Sequence, residues 1–167
     1  MPDGSIVSDE MVSSGYAVMR NISSSTTDYD FLPVTGGSIG QGLPVAVGAA
    51  LACPGRKVIA LEADGSGMYT FQSLWTMARE KLDVITIILA NRRYHILEIE
   101  MRRTGAGAIG PVSNEMIEIG RPEINWVKLA EGVGVQATRA TTADEFIAQF
   151  RSAVNQAGPS LIEAVIT

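Results

Sequence analysis

Apolar blocks separated by polar, glycine-rich or amphipathic stretches predict a chain in which strands alternate with helices. Val84–Ala90 is apolar apart from one threonine, which is typical of a strand buried on both faces. Further strands are predicted at 5–7, 57–62, 135–140 and 161–166. Helices are predicted at 10–19, 43–52, 70–80, 124–132 and 143–157, the last opened by Thr142. Loops are predicted at 21–30 and 104–122.

This alternation indicates an α/β fold: one domain over residues 1–167, a doubly wound parallel sheet with helices on both faces. In such sheets ligands bind beyond the carboxyl ends of the strands, where the strand order changes direction. The rule directs attention to 63–67 and 91–96, which follow two predicted strands. The predicted helix at 70–80 has one apolar face, formed by Phe71, Leu74, Trp75 and Ala78.

Composition and charge exclude several classes of protein. The 167 residues are 46% hydrophobic, which suits a single domain with a sizeable core. The net charge is -5 and basic residues form no long run, so nucleic-acid binding is not expected. No apolar run approaches a membrane span, and the N-terminus lacks the pattern of a secretory signal. Cys53 is the only cysteine, so an intrachain disulfide is excluded, and we expect a cytoplasmic protein.

Two oxygen-bearing side chains follow the two central predicted strands. Asp64 offers a carboxylate and Asn91 a side-chain carbonyl, and both are ligands that Mg²⁺ prefers. If the strands are neighbours, these oxygens can converge on one ion, and the glycines beside Asp64 let the backbone approach an anion. Mg²⁺ usually completes its coordination with phosphate oxygens, so the pattern predicts a phosphorylated cofactor. The simpler alternative is a turn at Asp64 and a helix cap at Asn91.

The run Asp64-Gly65-Ser66, followed 27 positions after Asp64 by Asn91, resembles the thiamine-diphosphate motif of the acetolactate synthase and benzoylformate decarboxylase group. That motif is Gly-Asp-Gly, about two dozen residues, then Asn-Asn. The flanking text is also similar: Gly-Leu-Pro before the small-residue helix, Ser-Leu-Trp-Thr after the aspartate, and Asn-Arg-Arg-Tyr after the second strand. The resemblance extends from about residue 9 to the C-terminus and is strongest at 36–103.

The resemblance implies thiamine diphosphate and Mg²⁺ as cofactors. It assigns the metal to Asp64, the Asn91 side chain and the Arg93 backbone carbonyl. It assigns the rest of the cofactor pocket to Gly37, Ser38, Ile39, Gly65, Ser66, Tyr94, His95 and Ile96. Within that set, Gly37 aligns with the residue that meets the aminopyrimidine, and Ile39 with the apolar residue that bends the cofactor.

The sequence departs from the motif at two positions, where Ala63 replaces the first glycine and Ala90 the first asparagine. In the family, the glutamate that activates the aminopyrimidine lies on a separate pyrimidine-binding domain, which this chain is too short to contain. We therefore expect the C-terminal part of a longer, homo-oligomeric enzyme acting on a small 2-oxo acid by carboligation or decarboxylation. Alternatives are one subunit of a split decarboxylase and a non-catalytic module that keeps the fold. The isolated chain is expected to be inactive.

Other side chains leave their alternatives open. His95, the only histidine, is a candidate for acid–base catalysis or for lining the cofactor pocket. Glu62 is either a buried carboxyl with a raised pKa or a paired, solvated one. The segment 104–122 is either a lid or a plain connection. Gly40-Gln41-Gly42 only partly matches a dinucleotide motif, because the sixth position is Val45. A flavodoxin-like flavin site is a third hypothesis, which no motif supports.

Overall fold

The computed structural model describes residues 1–166, which form a six-stranded parallel sheet with helices on both faces. The strands are β1 (Ser5–Glu10), β2 (Tyr29–Leu32), β3 (Val58–Ala63), β4 (Val84–Ala90), β5 (Gln136–Ala140) and β6 (Ser160–Val165). The helices are α1 (Tyr16–Ile22), α2 (Gly42–Ala52), α3 (Asp64–Gly67), α4 (Ser73–Arg79), α5 (His95–Arg103), α6 (Pro111–Ile117), α7 (Trp126–Gly132) and α8 (Ala143–Val154). Two short 3₁₀ helices lie at Val12–Gly15 and Thr35–Gly37. The predicted fold class is confirmed.

The strand order is β2-β1-β3-β4-β6-β5, and every neighbouring pair is parallel. From β1 the chain moves to β2 on one side, whereas from β3 it moves to β4 on the other side. The order therefore reverses between β1 and β3, and the crevice beyond their carboxyl ends is the expected ligand site of such a sheet. β4 lies directly beside β3, so the loops after both strands reach the same edge.

The sheet separates two apolar clusters because alternate side chains of each strand point to opposite faces. The larger cluster packs under α2, α4 and α7, with Leu43, Leu74 and Trp126 fully buried. Small residues such as Ala46 let α2 lie close to the strands. The second cluster packs under α1 and α8, where Phe146 and Phe150 stack with their ring centroids 6.0 Å apart.

The N-terminal part differs from the prediction. β1 extends to Glu10, and a 3₁₀ helix followed by α1 replaces the single helix predicted at 10–19. The polar residues Ser8 and Glu10 hid the strand, since both are fully buried in the sheet and break its hydrophobic pattern. β2 was missed because its four residues lie at the sheet edge, inside and beyond the loop predicted at 21–30.

Two further predictions were wrong in part. The segment 104–122 contains α6, which begins with a proline at its first position and was hidden by the surrounding glycines. Trp75, predicted to share a face with Leu74, is 51% exposed, whereas Met77 is fully buried. α4 begins three residues later than predicted, and Phe71, Leu74 and Ala78 of the predicted face do pack against the core. The prediction for β4 matches the structure residue for residue.

Candidate cofactor-binding site

Asp64 begins α3 directly after the carboxyl end of β3, and its side chain is buried. One carboxylate oxygen accepts the Gly65 N–H at 2.9 Å, and the other accepts the Arg92 N–H at 2.6 Å. Burial raises the pKa of the Asp64 carboxyl, and these backbone N–H groups oppose the rise. A cation at this carboxylate would offset the cost of burying its charge.

Asn91 follows β4, in a turn that Asp64 helps to hold. The Asn91 side-chain carbonyl accepts the Arg93 N–H at 2.9 Å. Arg92 has a φ of 57°, a conformation that is uncommon for a residue with a side chain. Its N–H is bound by Asp64 and its carbonyl accepts the Ile119 N–H at 3.0 Å, so both sides of the strained residue are fixed. The structure therefore places Asp64 and the Asn91 turn together at one edge of the sheet.

Tyr94 closes the turn against the start of α3. Its ring lies so near Gly65 that a β-carbon there would stand 2.5 Å from the ring, well inside contact distance. The Tyr94 N–H donates to the Ile117 carbonyl at 2.8 Å. The packing of the Tyr94 ring thus requires a glycine at position 65. As a result, the backbone next to the buried Asp64 carboxylate carries no side chain at this position.

The third predicted element of the site, 37–39, lies in the loop between β2 and α2. Gly36 and Gly37 both have positive φ, at 66° and 69°, which glycine adopts without strain. Ser38 and Ile39 are exposed, with Ile39 at 38%. The loop is anchored just beyond them, where the carboxylate of Glu10 accepts the N–H groups of Gly40 and Gly42.

Glu10 is the residue of this region that the sequence analysis missed. It ends β1, is fully buried, and holds the start of α2 by accepting two backbone N–H groups. Its backbone carbonyl accepts the Ser66 hydroxyl at 3.1 Å. Glu10 therefore links the loop at 36–42 to α3. No local pattern could have placed it on a strand, because Ser8 and Glu10 interrupt the apolar pattern of β1.

Glu62 lies beside Glu10 and is also fully buried. Its pKa is raised well above the usual value, first by burial and then by the carboxylate of Glu10. One of its oxygens lies 3.4 Å from the Ser66 hydroxyl, whereas the other has no hydrogen-bond partner among residues 1–166. Of the two alternatives for this side chain, the buried one is correct. Sequence alone could not decide it, because it depends on which residues β3 meets in the sheet.

His95 and Ile96 begin α5, next to Tyr94. The His95 side chain is 43% exposed and its Nδ1 lies 3.3 Å from a Glu98 oxygen. Glu98 also pairs with Arg93 and with Arg102, and these cations and His95 lower its pKa. Arg93 and Arg102 are therefore both paired with one carboxylate of α5.

The donor set fits a magnesium ion that shares its coordination with phosphate. It comprises a buried carboxylate, a side-chain amide carbonyl and the backbone of the 91–94 turn. Within the described 166 residues, no cluster of three His, Cys, Asp or Glu side chains could hold a metal without further ligands. A metal here would therefore need further ligands, and Mg²⁺ usually takes them from water and from substrate phosphate oxygens.

A parallel α/β sheet with a buried aspartate at its switch-point edge defines a domain suited to a phosphorylated cofactor. Residues 13–164 match the family described as thiamine pyrophosphate enzyme, C-terminal TPP binding domain. The chain belongs to this family. The resemblance inferred from the motif is thereby confirmed at the level of the family.

Several known proteins are similar to this chain over most of its length. IlvX of Mycobacterium tuberculosis, named as a candidate acetolactate synthase large subunit, is 46% identical over 99% of this chain and 32% of its own length. The benzoylformate decarboxylase of Pseudomonas aeruginosa is 36% identical over 80% of this chain and 24% of its own. The structure of the thiamine diphosphate-dependent 4-hydroxybenzoylformate decarboxylase of Rhodococcus jostii RHA1 superposes with a TM-score of 0.82, at 37% identity, over 97% of this chain and 29% of that chain.

The chain thus spans about a third or less of the length of these relatives, so the full-length relatives contain further domains. In the described part of the chain, none of the helices combines the length and the apolar character that crossing a bilayer demands.

Proposed function

We propose that this domain binds the diphosphate of thiamine diphosphate through Mg²⁺, within an enzyme that decarboxylates or ligates 2-oxo acids. The observation that carries the proposal is the buried Asp64 carboxylate, hydrogen-bonded to the backbone beside Asn91. Asp64, the Asn91 side-chain carbonyl and the Arg93 backbone carbonyl are the proposed metal ligands. When bound, the cofactor supplies an electron sink for 2-oxo acid chemistry.

The chain's own residues would hold and orient the cofactor. Gly65 and Ser66 lie in the first turn of α3 and would meet the diphosphate, because the N-terminal end of a helix favours negative charge. Tyr94, His95 and Ile96 would enclose it from the α5 side. On the third loop, Gly37 and Ser38 would face the aminopyrimidine, and the exposed Ile39 would support the bent cofactor.

The two departures from the motif are compatible with this role. Ala63 has φ -81° and ψ 151°, a conformation open to any residue, so a glycine is not needed there. Ala90 is buried in the apolar cluster under α2, α4 and α7, so its side chain belongs to the core. Neither departure therefore counts against a cofactor-binding domain.

We propose that the glutamate that activates the aminopyrimidine comes from another domain. The length of the relatives supports a further, pyrimidine-binding domain, on the same polypeptide or on a separate subunit. We propose in addition that the full enzyme is a homo-oligomer. We expect no release of CO₂ from 2-oxo acids by the 167-residue chain alone. Measurable turnover by the purified chain would contradict that division of the active site.

The metal assignment is tested in a chimera in which this chain replaces the matched part of the Rhodococcus decarboxylase. Thiamine diphosphate is titrated with and without Mg²⁺ and followed by calorimetry and by the fluorescence of Trp126, whose ring packs against Gly67 in α3. Asp64→Ala or Asn91→Ala should weaken Mg²⁺-dependent binding at least about 10-fold, or about 1.4 kcal/mol.

Matched controls are Asp144→Ala and Asn155→Ala, which change the same residue types at exposed positions of α8 and its end. These controls should bind as the unaltered chimera does. Unchanged metal dependence in the Asp64 and Asn91 variants would refute the site. Absence of binding by the unaltered chimera, with circular dichroism showing a folded protein, would favour the non-catalytic module.

A further inference from the structure

The 91–94 turn is paired with a second stretch of backbone, the segment 117–123. The two run antiparallel, with a bridge between Arg93 and Glu118. On either side of this bridge, a backbone hydrogen bond of 2.8 or 3.0 Å joins the segment to the turn. The segment therefore lies alongside the backbone that carries Asn91.

Glu123, at the end of this segment, lies between two arginines from distant parts of the chain. A bridge between Gly120 and Glu123 folds the segment back on itself. One carboxylate oxygen of Glu123 lies 2.8 Å from Nη2 of Arg92 and accepts a hydrogen bond of 2.5 Å from Nη2 of Arg139. Arg139 belongs to β5, and its Nε lies 3.8 Å from the buried carboxylate of Glu163 on β6. Glu123 therefore joins the turn to the edge of the sheet.

The ion pair bears on Arg92, the strained residue of the turn. Its φ of 57° is a conformation that persists only where the surrounding structure holds it. Within residues 1–166, Glu123 is the only ion-pair partner of the Arg92 guanidinium. Glu123 also separates two like charges, because without its negative charge the guanidinium groups of Arg92 and Arg139 would repel each other. Loss of this charge would therefore loosen the conformation in which the Arg92 N–H reaches Asp64.

We propose that Glu123 is a positioning residue for metal and cofactor binding, which acts through Arg92 to hold the turn that brings Asp64 and Asn91 together. The proposal rests on the function proposed above for Asp64 and Asn91. It has a consequence that a general effect on stability lacks. Glycine adopts a φ of 57° without strain, so Arg92→Gly should make Glu123 dispensable for the geometry of the turn.

The first measurement needs no cofactor and uses the 167-residue chain. Glu123→Gln keeps the size of the side chain and removes its charge. The rate at which the Arg92 N–H exchanges with D₂O, followed by NMR, reports how often its bond to Asp64 opens. We expect about 2- to 5-fold faster exchange, the range that a partly exposed ion pair accounts for. Thermal unfolding verifies that each variant is folded.

Glu100→Gln is the matched control. The substitution is the same, the Glu100 side chain is as exposed as that of Glu123, at 42%, and it also forms an ion pair, with Arg103 on α5. This control should leave the exchange of the Arg92 N–H unchanged.

The second measurement is the Mg²⁺-dependent binding of thiamine diphosphate by the chimera described above. Glu123→Gln should weaken this binding about 2- to 5-fold, whereas Glu100→Gln should not change it. When Arg92→Gly is already present, adding Glu123→Gln should change neither the exchange of the residue-92 N–H nor the binding.

Unchanged exchange or unchanged binding in Glu123→Gln would overturn the proposal. An equal effect of Glu123→Gln with and without Arg92→Gly would overturn it too, because Glu123 would then not act through Arg92. Absence of binding by the unaltered chimera would refute the proposed function and this role of Glu123 together. Binding by the chimera that ignores Glu123→Gln would refute this role alone.

Discussion

Gly42 offers a test of how tightly the buried carboxylates are packed beneath α2. A β-carbon at Gly42 would stand 2.0 Å from a Glu62 oxygen, 2.7 Å from the Glu10 β-carbon and 2.8 Å from a Glu10 oxygen. These groups are fully buried and cannot move into solvent. Gly42→Ala must therefore displace the carboxylates, the start of α2, or both.

The cost can be worked out from these contacts. Overpacking in a core costs about 1–3 kcal/mol. A shift of α2 away from Glu10 also weakens the N–H bonds of Gly40 and Gly42 to its carboxylate, and one hydrogen bond to a charged group contributes about 1.5–3 kcal/mol. We expect a loss of about 3–5 kcal/mol in the free energy of unfolding. For a chain of this size the corresponding fall in Tm is about 6–20 °C.

Gly48→Ala is the matched control, since the substitution and the helix are the same. An added β-carbon at Gly48 meets nothing within 4 Å, so the change should stabilise α2 by about 0.5–1 kcal/mol. Urea unfolding followed by circular dichroism gives both values. Combining Gly42→Ala with Glu62→Ala removes the nearest colliding oxygen, and the two changes should couple by about 0.5–3 kcal/mol.

Tight packing of the carboxylates is refuted if Gly42→Ala lowers the unfolding free energy by less than about 0.5 kcal/mol, or stabilises the chain as Gly48→Ala does. It is also refuted if the effects of Gly42→Ala and Glu62→Ala are strictly additive in the double variant. Either result would mean that the buried carboxylates are free to rearrange, and that Glu10 does not fix the start of α2.

Two further predictions concern stability. Because the pKa of Glu62 is raised in the folded chain, its contribution is full below its unfolded pKa of about 4.3 and is lost as the pH rises through the folded value. Glu62→Gln should therefore raise Tm relative to the unaltered chain increasingly as the pH rises above about 4.3, whereas exposed Glu131→Gln should not. Parallel Tm profiles would contradict the buried assignment. Thr142 caps α8 by accepting the Glu145 N–H, so Thr142→Ala should cost about 1 kcal/mol in urea unfolding, against no change for exposed Thr26→Ala. An equal effect of both threonine substitutions would exclude the cap as the cause.

The local sequence was sufficient to predict an element where the side-chain pattern depends on that element alone. β4 was predicted residue for residue because all seven positions are buried, so that nearly every one had to be apolar. The start of α8 was predicted from Thr142, and its capping box with Glu145 lies within four residues of the chain. The motif of Asp64 and Asn91 likewise identified the family. Its spacing is local, because the chain between the two residues forms the helices α3 and α4 and the strand β4, which lies beside β3.

The tertiary structure decided what depends on residues far apart in sequence. Glu10 and Glu62 are brought together only because β1 and β3 pair, and this pairing places two carboxyls in the interior. No local pattern predicts a buried polar residue at the end of a strand. For this reason the sequence predicts a helix over 10–19, although Glu10 ends β1. The ion pairs of Glu123 have the same origin: Arg92 and Arg139 come from a turn and a strand far apart in the sequence, and only the folded chain brings both to one carboxylate oxygen.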